Sequence, residues 1–353
     1  MKKSTYIIGV MSGTSLDGID LAYVKINKDT NYSFDILHAI TIPYTKDWQQ
    51  KLKNAFNISA EEITKLDASY SLFLSGIIQQ YIEEQQIEDL DLIATHGHTI
   101  FHNPTENYTL QIGNKPAIIS KTEIKTICDF RIHDVALGGQ GAPLVPIGDM
   151  LLFSEYTYCL NIGGFANISH QNGTDRMAYD ICPTNIVMNE YMRKLGKEYD
   201  DKGQLAATGT LNTTLLNELN ALPFYTDKKP KSLGYEFVVD VIFPILHRYN
   251  LSTPDILRTY IEHCAIQIAS KTNNSTSSTL LITGGGAFNT FLVERIQSHT
   301  KTTIILPDES IINYKEALIF AFLGYLRDQN EINCLKSVTG ATKNHSGGII
   351  YTT

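Results

Sequence analysis

Paired cysteine chemistry is missing from this chain. Its five cysteines, at positions 128, 159, 182, 264 and 334, are odd in number and form no CxxC pair, which removes a disulfide framework and a zinc-ribbon spacing alike. A reducing compartment is the expected setting. Surplus positive charge is missing too: 29 Lys and Arg stand against 37 Asp and Glu, a net charge of −8. With no Lys/Arg run to segregate a basic face, a nucleic-acid partner is not expected. No apolar run approaches the ~18 residues of a membrane span. At the N-terminus two lysines are followed by an apolar stretch only from Tyr6 to Met11, too short for a signal h-region, so a cytoplasmic protein without membrane partners is expected. Neither GxGxxG nor GxxxxGK[ST] occurs, so the Rossmann and Walker routes to phosphate are closed.

What is present is a globular α/β pattern. The length of 353 residues with 43% apolar side chains suggests two domains. Tyr6 to Val10 and Ile19 to Ile26 are β-rich runs around a tip of small and hydroxyl-bearing residues, which predicts a hairpin. From Ser59 to about Gln86, apolar residues recur at the 3-and-4 spacing of one helix face. Leu90 to Thr95 reads as a short buried strand ending in His96-Gly97-His98. A second strand pair, Tyr156 to Asn161 and Ala166 to His170, turns at Gly163-Gly164 and repeats the plan of the first. Leu280 to Thr283 enters Gly284-Gly285-Gly286 and continues into a helical spacing over Phe288 to Ile296; a last amphipathic helix spans Tyr314 to Leu326. The two glycine-tipped hairpins suggest a structural duplication.

Three places bring glycines to the end of a strand: Gly13-Thr14-Ser15, Gly163-Gly164 and Gly284-Gly285-Gly286. Main-chain donors approach a polyphosphate closely only where side chains are small, so together they suggest a phosphate site. Asp17 and Asp20 flank the first tip, where a carboxylate holds Mg²⁺ directly or through water; the alternative is a turn aspartate bonding its own backbone. Asp180 precedes Ile181-Cys182-Pro183-Thr184-Asn185 and a helical run, a setting for a general base or for a helix N-cap. His96 and His98 form an HxH pair suited to a metal-dependent hydrolase, with His133-Asp134 to complete its ligands, or to hydrogen bonding with a substrate or in the core. Arg131 offers a planar fork to an anionic or hydroxyl-rich ligand, with a surface ion pair as the alternative.

Several of these stretches have long collinear neighbours. Met11 through Asp20, Thr95-His96-Gly97-His98-Thr99, Leu110-Gln111-Ile112-Gly113, Asp129-Phe130-Arg131, Gly138 through Pro146, Asn161 through Ile168, Lys231-Ser232-Leu233-Gly234, Thr283 through Asn289, Glu316-Ala317 and Ser337-Val338-Thr339-Gly340 cover nearly the whole chain. In that order they resemble the anhydro-N-acetylmuramic acid kinase family, a branch of the actin-like ATPase and sugar kinase superfamily. The resemblance implies a two-lobed, ribonuclease H-like α/β fold with an interdomain cleft. The lobes are drawn at 1–134 with 337–353, and at 135–336.

It also implies an enzyme that uses ATP and Mg²⁺ to open the 1,6-anhydro ring of 1,6-anhydro-N-acetylmuramic acid and phosphorylate O6, in peptidoglycan recycling. Asp180 is the implied catalytic base. ATP is expected at Gly13, Thr14, Ser15, Leu16, Asp17, Gly18, Ile19, Asp20, Gly163, Gly164, Gly284, Gly285 and Gly286, with Mg²⁺ at Asp17 and Asp20, the sugar at His96, Arg131 and Glu316, and a homodimer as the assembly. Two departures stand out. Ile181-Cys182-Pro183-Thr184-Asn185 replaces the family's Thr-Gly-Pro-Gly-Asn, adding side chains expected to reshape the sugar pocket, and His98 replaces a glutamine. A kinase for another anhydrosugar such as levoglucosan therefore stays open, beside the hydrolase and a nucleotide-binding protein without turnover.

Overall fold

The computed structural model describes residues 4–13, 15–226, 232–272 and 275–353. Thr14 and Lys231, both in stretches singled out above, lie outside the described residues. The chain divides into two compact units, Met1–Leu152 with Tyr314–Thr353, and Phe153–Asn313.

In the first unit, β1 (Ser4–Ser12), β2 (Gly18–Lys28) and β3 (Tyr32–Pro43) form an antiparallel meander. Then β4 (Leu92–Thr95) adds parallel to β1 on its other side. A short pair, β5 (His98–Asn103) and β6 (Tyr108–Ile112), intervenes before β7 (Thr126–Cys128) adds parallel to β4. The strand Ile349–Tyr351 closes the far edge. Ile7, Ile8, Val10, Leu21 and Ile93 are wholly buried, the β-branched and leucine-rich interior that a sheet covered on both faces requires. The helix Ala60–Glu84 starts where its sequence predicts. Ser59 Oγ accepts from the Glu62 amide at 3.3 Å and Glu62 Oε2 from the Ser59 amide at 2.9 Å, a capping box satisfying two otherwise orphaned donors.

The second unit repeats this plan. Its strands β8 (Tyr158–Ile162), β9 (Phe165–Asn172) and β10 (Asp175–Pro183) are antiparallel, while β11 (Thr279–Thr283) and β12 (Thr303–Ile305) run parallel to β8. Both sheets therefore have the order third, second, first, fourth, fifth, the ribonuclease H-like arrangement. The duplication read from two hairpins extends to whole sheets.

The units change over at different places from the lobes drawn on the sequence. Residues 135–152 and 314–336 belong with the first unit, because most of the helix Glu309–Asp328 lies on its sheet. A Cβ on Gly9 of β1 would stand 1.9 Å from the Ala317 carbonyl oxygen, and one on Gly324 would stand 2.5 Å from Ala94 Cβ. Close approach at these two glycines seats the helix across β1 and β4, and with it Glu316. No helix among the described residues is long and apolar enough to cross a membrane.

Candidate active site

The site residues expected in the first unit gather at one end of its sheet. Ser12 faces Ile19 where β1 meets β2, and Met11 faces Asp20. Thr95 pairs with Val10, so the next residue of that strand, His96, emerges beside the hairpin tip. In the tip Leu16 adopts φ 62° and its amide donates to the Gly13 carbonyl at 3.4 Å; the Tyr44 amide holds the Asp17 carbonyl at 3.3 Å. Ser15 and Asp17 are exposed, while Gly18 and Ile19 are buried. The Ile19 side chain belongs to the core, leaving only its backbone for any ligand.

Asp20 Oδ1 accepts from Thr41 Oγ1 at 2.6 Å. Burial pushes its carboxyl up, Thr41 opposes this, and Asp17 adds to the rise. Glu316 opens to solvent, yet its carboxyl is also pushed up, first by desolvation and then by Asp20, with Arg131 and Lys315 pulling it back. Asp20, raised in part by the exposed Asp17, offers with it hard carboxylate oxygens of the kind that suit a divalent cation.

His96 and His98 are not a metal pair. Arg131 Nε donates to His96 Nε2 at 2.8 Å, which puts the remaining proton of the neutral ring on Nδ1, where it donates to the Gly97 carbonyl at 2.9 Å. Burial, then the Arg131 charge, hold His96 well below the usual histidine range. His98 Nδ1 is 2.8 Å from Ser12 Oγ, which continues through Tyr44 (2.6 Å) to Tyr70 (2.5 Å) as a buried hydrogen-bonded chain beneath the hairpin. Burial pushes His98 down to about 4, so its ring is neutral too. Among the described residues neither ring joins a group of three metal-ligating side chains, so the hydrolase reading has no ligand set there. Arg131 is not a surface ion pair either: its second bond goes from Nη1 to the Gly141 carbonyl at 3.1 Å. Burial lowers its guanidinium to about 10 against the pull of Glu316.

In the second unit the register places Asp180 opposite Asn167, Asn167 opposite Asn161, and Asn161 opposite Thr283. Four strands thus present one row; Gly163-Gly164 follows it one residue later, after Ile162, and Gly284-Gly285-Gly286 at once. The backbone of the first pair is fixed by the start of the helix Asn185–Arg193. Thr184 Oγ1 donates to the Gly163 carbonyl at 2.8 Å, and the Thr184 amide to the Gly164 carbonyl at 2.7 Å. Among the described residues the Gly164 amide itself has no protein acceptor, and it lies exposed. Gly284 adopts φ 82°, and a Cβ there would press on Asn161 Oδ1 at 2.6 Å, so the turn lies directly on the end of β8.

Asp180 is half-buried before a bulge in β10. It is not an N-cap: that position belongs to Thr184, and Asp180 Oδ2 instead accepts the Leu233 amide at 2.8 Å. Burial pushes its carboxyl up while the Leu233 bond restrains the rise. Among the described residues Oδ1 takes no hydrogen bond. The side chains of the altered segment point elsewhere than expected. Ile181 and Cys182 fill the core of this unit, and Thr184 is buried against the hairpin. Thr184 and the Leu233 amide are the contributors that sequence reading missed, although Leu233 lies in one of the quoted motifs.

Residues 5–353 match the profile of the family described as Anhydro-N-acetylmuramic acid kinase. Proteins of that name from Pasteurella multocida and Vibrio parahaemolyticus are 35% and 36% identical to this chain, covering 99% of it and 98% and 99% of their own lengths. One from Hydrogenovibrio crunogenus is 35% identical over 99% of this chain and 98% of its own. By sequence over residues 5–353 and by relatives 35–36% identical along nearly its whole length, the chain belongs to the anhydro-N-acetylmuramic acid kinase family.

Proposed function

We propose that the protein is an ATP-dependent kinase that opens 1,6-anhydro-N-acetylmuramic acid with water and phosphorylates O6. The full-length family match carries this reading, and the state of Asp180 supports it. A bridged sugar has no free 6-hydroxyl, so ring opening has to generate the phosphoryl acceptor. Asp180 Oδ1 takes a proton from water as the water oxygen bonds to the anomeric carbon. The bond from that carbon to O6 breaks, O6 bonds to the γ-phosphorus, and the bond from that phosphorus to ADP breaks. The product is the 6-phosphate, with one water added.

A carboxylate lifted by burial is the better proton acceptor, and the Leu233 amide fixes its second oxygen so that Oδ1 keeps one direction. The exposed Gly164 amide and the triple-glycine turn serve the nucleotide, since fixed donors stabilise phosphoryl charge without reorganising. Asp20 and Asp17 are the residues that would hold Mg²⁺, which neutralises phosphate charge when bound. Arg131, oriented by His96, and the accessible Glu316 serve the sugar. Because Ile181 and Cys182 are core residues, the levoglucosan variant loses the observation that favoured it.

The test is ADP release with Mg·ATP and 1,6-anhydro-N-acetylmuramic acid, beside levoglucosan and plain N-acetylmuramic acid, with product mass recorded. A 6-phosphate from the first sugar alone is expected; turnover confined to levoglucosan would move the substrate, and silence on all three would sink the reading.

Two variants probe the binding groups. Gly164→Val should fold normally, since its Cβ would meet only Ile186 Cβ at an ordinary 3.6 Å. The bulk in front of the amide should raise the ATP Kd about tenfold or more, roughly 1.4 kcal/mol, and calorimetric titration finding wild-type affinity in the folded variant would count against the second hairpin. Arg131→Lys removes the fork that reaches His96 and Gly141 together, and an ammonium is not its equivalent. The sugar KM is expected to rise on the order of tenfold, about 1.4 kcal/mol of binding, with the KM for ATP little changed; equal effects on both would argue for a general structural role.

A further inference from the structure

Away from these residues, the first unit contains a buried group of three metal-ligating side chains. Cys334 and His345 are an antiparallel bridge pair, their backbones exchanging N–H to carbonyl bonds of 3.1 and 3.2 Å, so their side chains project from one face. Asp134, from the short helix Ile132–Ala136, lies against that face and is completely buried. Cys334 Sγ is 3.1 Å and His345 Nε2 3.7 Å from Asp134 Oδ1, and the three ligand atoms all lie within 4.8 Å of one another.

The histidine makes this more than a satisfied carboxylate. His345 is only 5% exposed. Its Nδ1 lies 3.3 Å from the Lys343 carbonyl, which places the proton of the neutral ring there. Nε2 then turns a lone pair toward Asp134 and Cys334, and it is buried without any hydrogen-bond partner. An unpaired acceptor facing a carboxylate is unfavourable unless something positive lies between them. Among the described residues, the only basic group within ion-pair distance of Asp134 is this same histidine.

We infer that Asp134, Cys334 and His345 form a binding site for a divalent transition-metal ion of the zinc type. Thiolate, imidazole and carboxylate together select a borderline-soft cation over Mg²⁺ or Ca²⁺. Their charges balance it: a thiolate and a carboxylate offset the two positive charges, the Cys334 proton being released to solvent on binding. Tetrahedral zinc with bonds of ~2.0–2.3 Å needs ligand-to-ligand edges of about 3.3–3.8 Å. Two of the three separations already fall near that range, and small side-chain rotations bring in the third. His133, exposed and with its ring 4.8 Å from that of His345, marks the open side, where it or a water supplies the fourth ligand.

The consequence of occupancy is structural. Asp134 Oδ2 accepts the Gly141 amide at 2.7 Å, and the Gly141 carbonyl in turn accepts Arg131. The ion therefore fixes the C-terminal segment to the glycine-rich loop that holds Arg131. Neither His96 nor His98 is among its ligands, so its presence would not revive a hydrolase built on that pair.

The test uses full-length protein stripped with a chelator and titrated with Co²⁺ alone. One Co²⁺ per chain is expected, with thiolate-to-cobalt charge-transfer absorption that Zn²⁺ abolishes by displacement, and a thermal midpoint raised by Zn²⁺. Cys334→Ala should lose the absorption, and His345→Gln should weaken Co²⁺ binding by tenfold or more. Absence of stoichiometric binding to the folded wild-type protein overturns the proposal without recourse to any variant. So does charge-transfer absorption that persists in Cys334→Ala, which would leave the thiol as a hydrogen-bond donor to Asp134 and nothing more.

Discussion

Asp180→Asn is expected to lower kcat on 1,6-anhydro-N-acetylmuramic acid by about 10²–10⁴-fold, the contribution of a positioned general base, while leaving Mg·ATP affinity within about twofold. The asparagine amide is nearly isosteric, and its carbonyl oxygen still accepts the Leu233 amide. The loop carrying Leu233 therefore keeps its anchor. What disappears is the oxygen that takes up a proton. A neutral amide has no basicity at working pH, and the water must attack without assistance. The Gly163-Gly164 and Gly284-Gly285-Gly286 backbones are fixed by bonds that do not involve Asp180, so nucleotide binding should persist. Stopped turnover together with an ordinary ATP titration is the expected pair of results. Near-normal turnover would remove Asp180 from the chemistry, and joint loss of turnover and ATP binding would mean that it acts on the fold.

How readily such residues could be found from sequence depended on whether their signal was local. The hairpins were legible because strands and tip are contiguous, and glycines at the tip leave few other readings. The helix Ala60–Glu84 was legible because one face is apolar and Ser59 and Glu62 announce its start. By contrast, the helix Thr253–Ala269 left no amphipathic stripe: residues from Ile256 to Ala269 are buried nearly all round, so the periodicity that marks a surface helix is absent. The strand β3 is a different case: its residues alternate between half-buried and exposed, a period-2 signal present in the sequence that the strand assignment passed over. Roles set by partners were the hardest to read. Nothing in His96-Gly97-His98 says that one ring takes its proton arrangement from Arg131 and the other from Ser12. Likewise, the exchange of glycines for Cys182 and Thr184 after Asp180 looks like a pocket change until Cys182 is seen in the core and Thr184 buried against the hairpin.

Removal of the Glu262 carboxylate should destabilise the second unit by about 2–3 kcal/mol, somewhat below the ~3–5 kcal/mol of breaking a fully buried pair. Glu262 is buried in the helix Thr253–Ala269 and accepts from Arg258 Nη1 at 2.7 Å, Arg295 Nε at 2.7 Å, Arg295 Nη2 at 2.8 Å and His299 Nε2 at 2.7 Å. Arg295 and His299 belong to the helix Thr290–His299, which follows directly from the triple-glycine turn. One carboxylate thus fastens the helix that follows the triple-glycine turn expected to bind ATP. In Glu262→Ala the arginines rehydrate in part, since their side chains are 17% and 28% exposed, which is why the loss falls below the fully buried case. Glu262→Gln should be nearly as costly, because its NH₂ would face a guanidinium.

The pH dependence separates this from simple loss of packing. Burial alone would raise the Glu262 carboxyl, but the bonds from Arg295, His299 and Arg258 overcome it and hold the group at about 2. A group depressed on folding contributes stability that is fully present above its unfolded value and is lost as pH falls through its folded one. The gap between wild type and Glu262→Ala should therefore be full at neutral pH and shrink as pH falls from about 4.5 to about 2. Urea unfolding followed by far-ultraviolet circular dichroism measures it, while the single tryptophan, Trp48 of the first unit, reports separately by fluorescence. A gap that stays constant over that range would mean that Glu262 stabilises through its methylenes rather than its charge, and the fastening of the triple-glycine turn would have to be sought in the apolar contacts of Leu292 and Ile296.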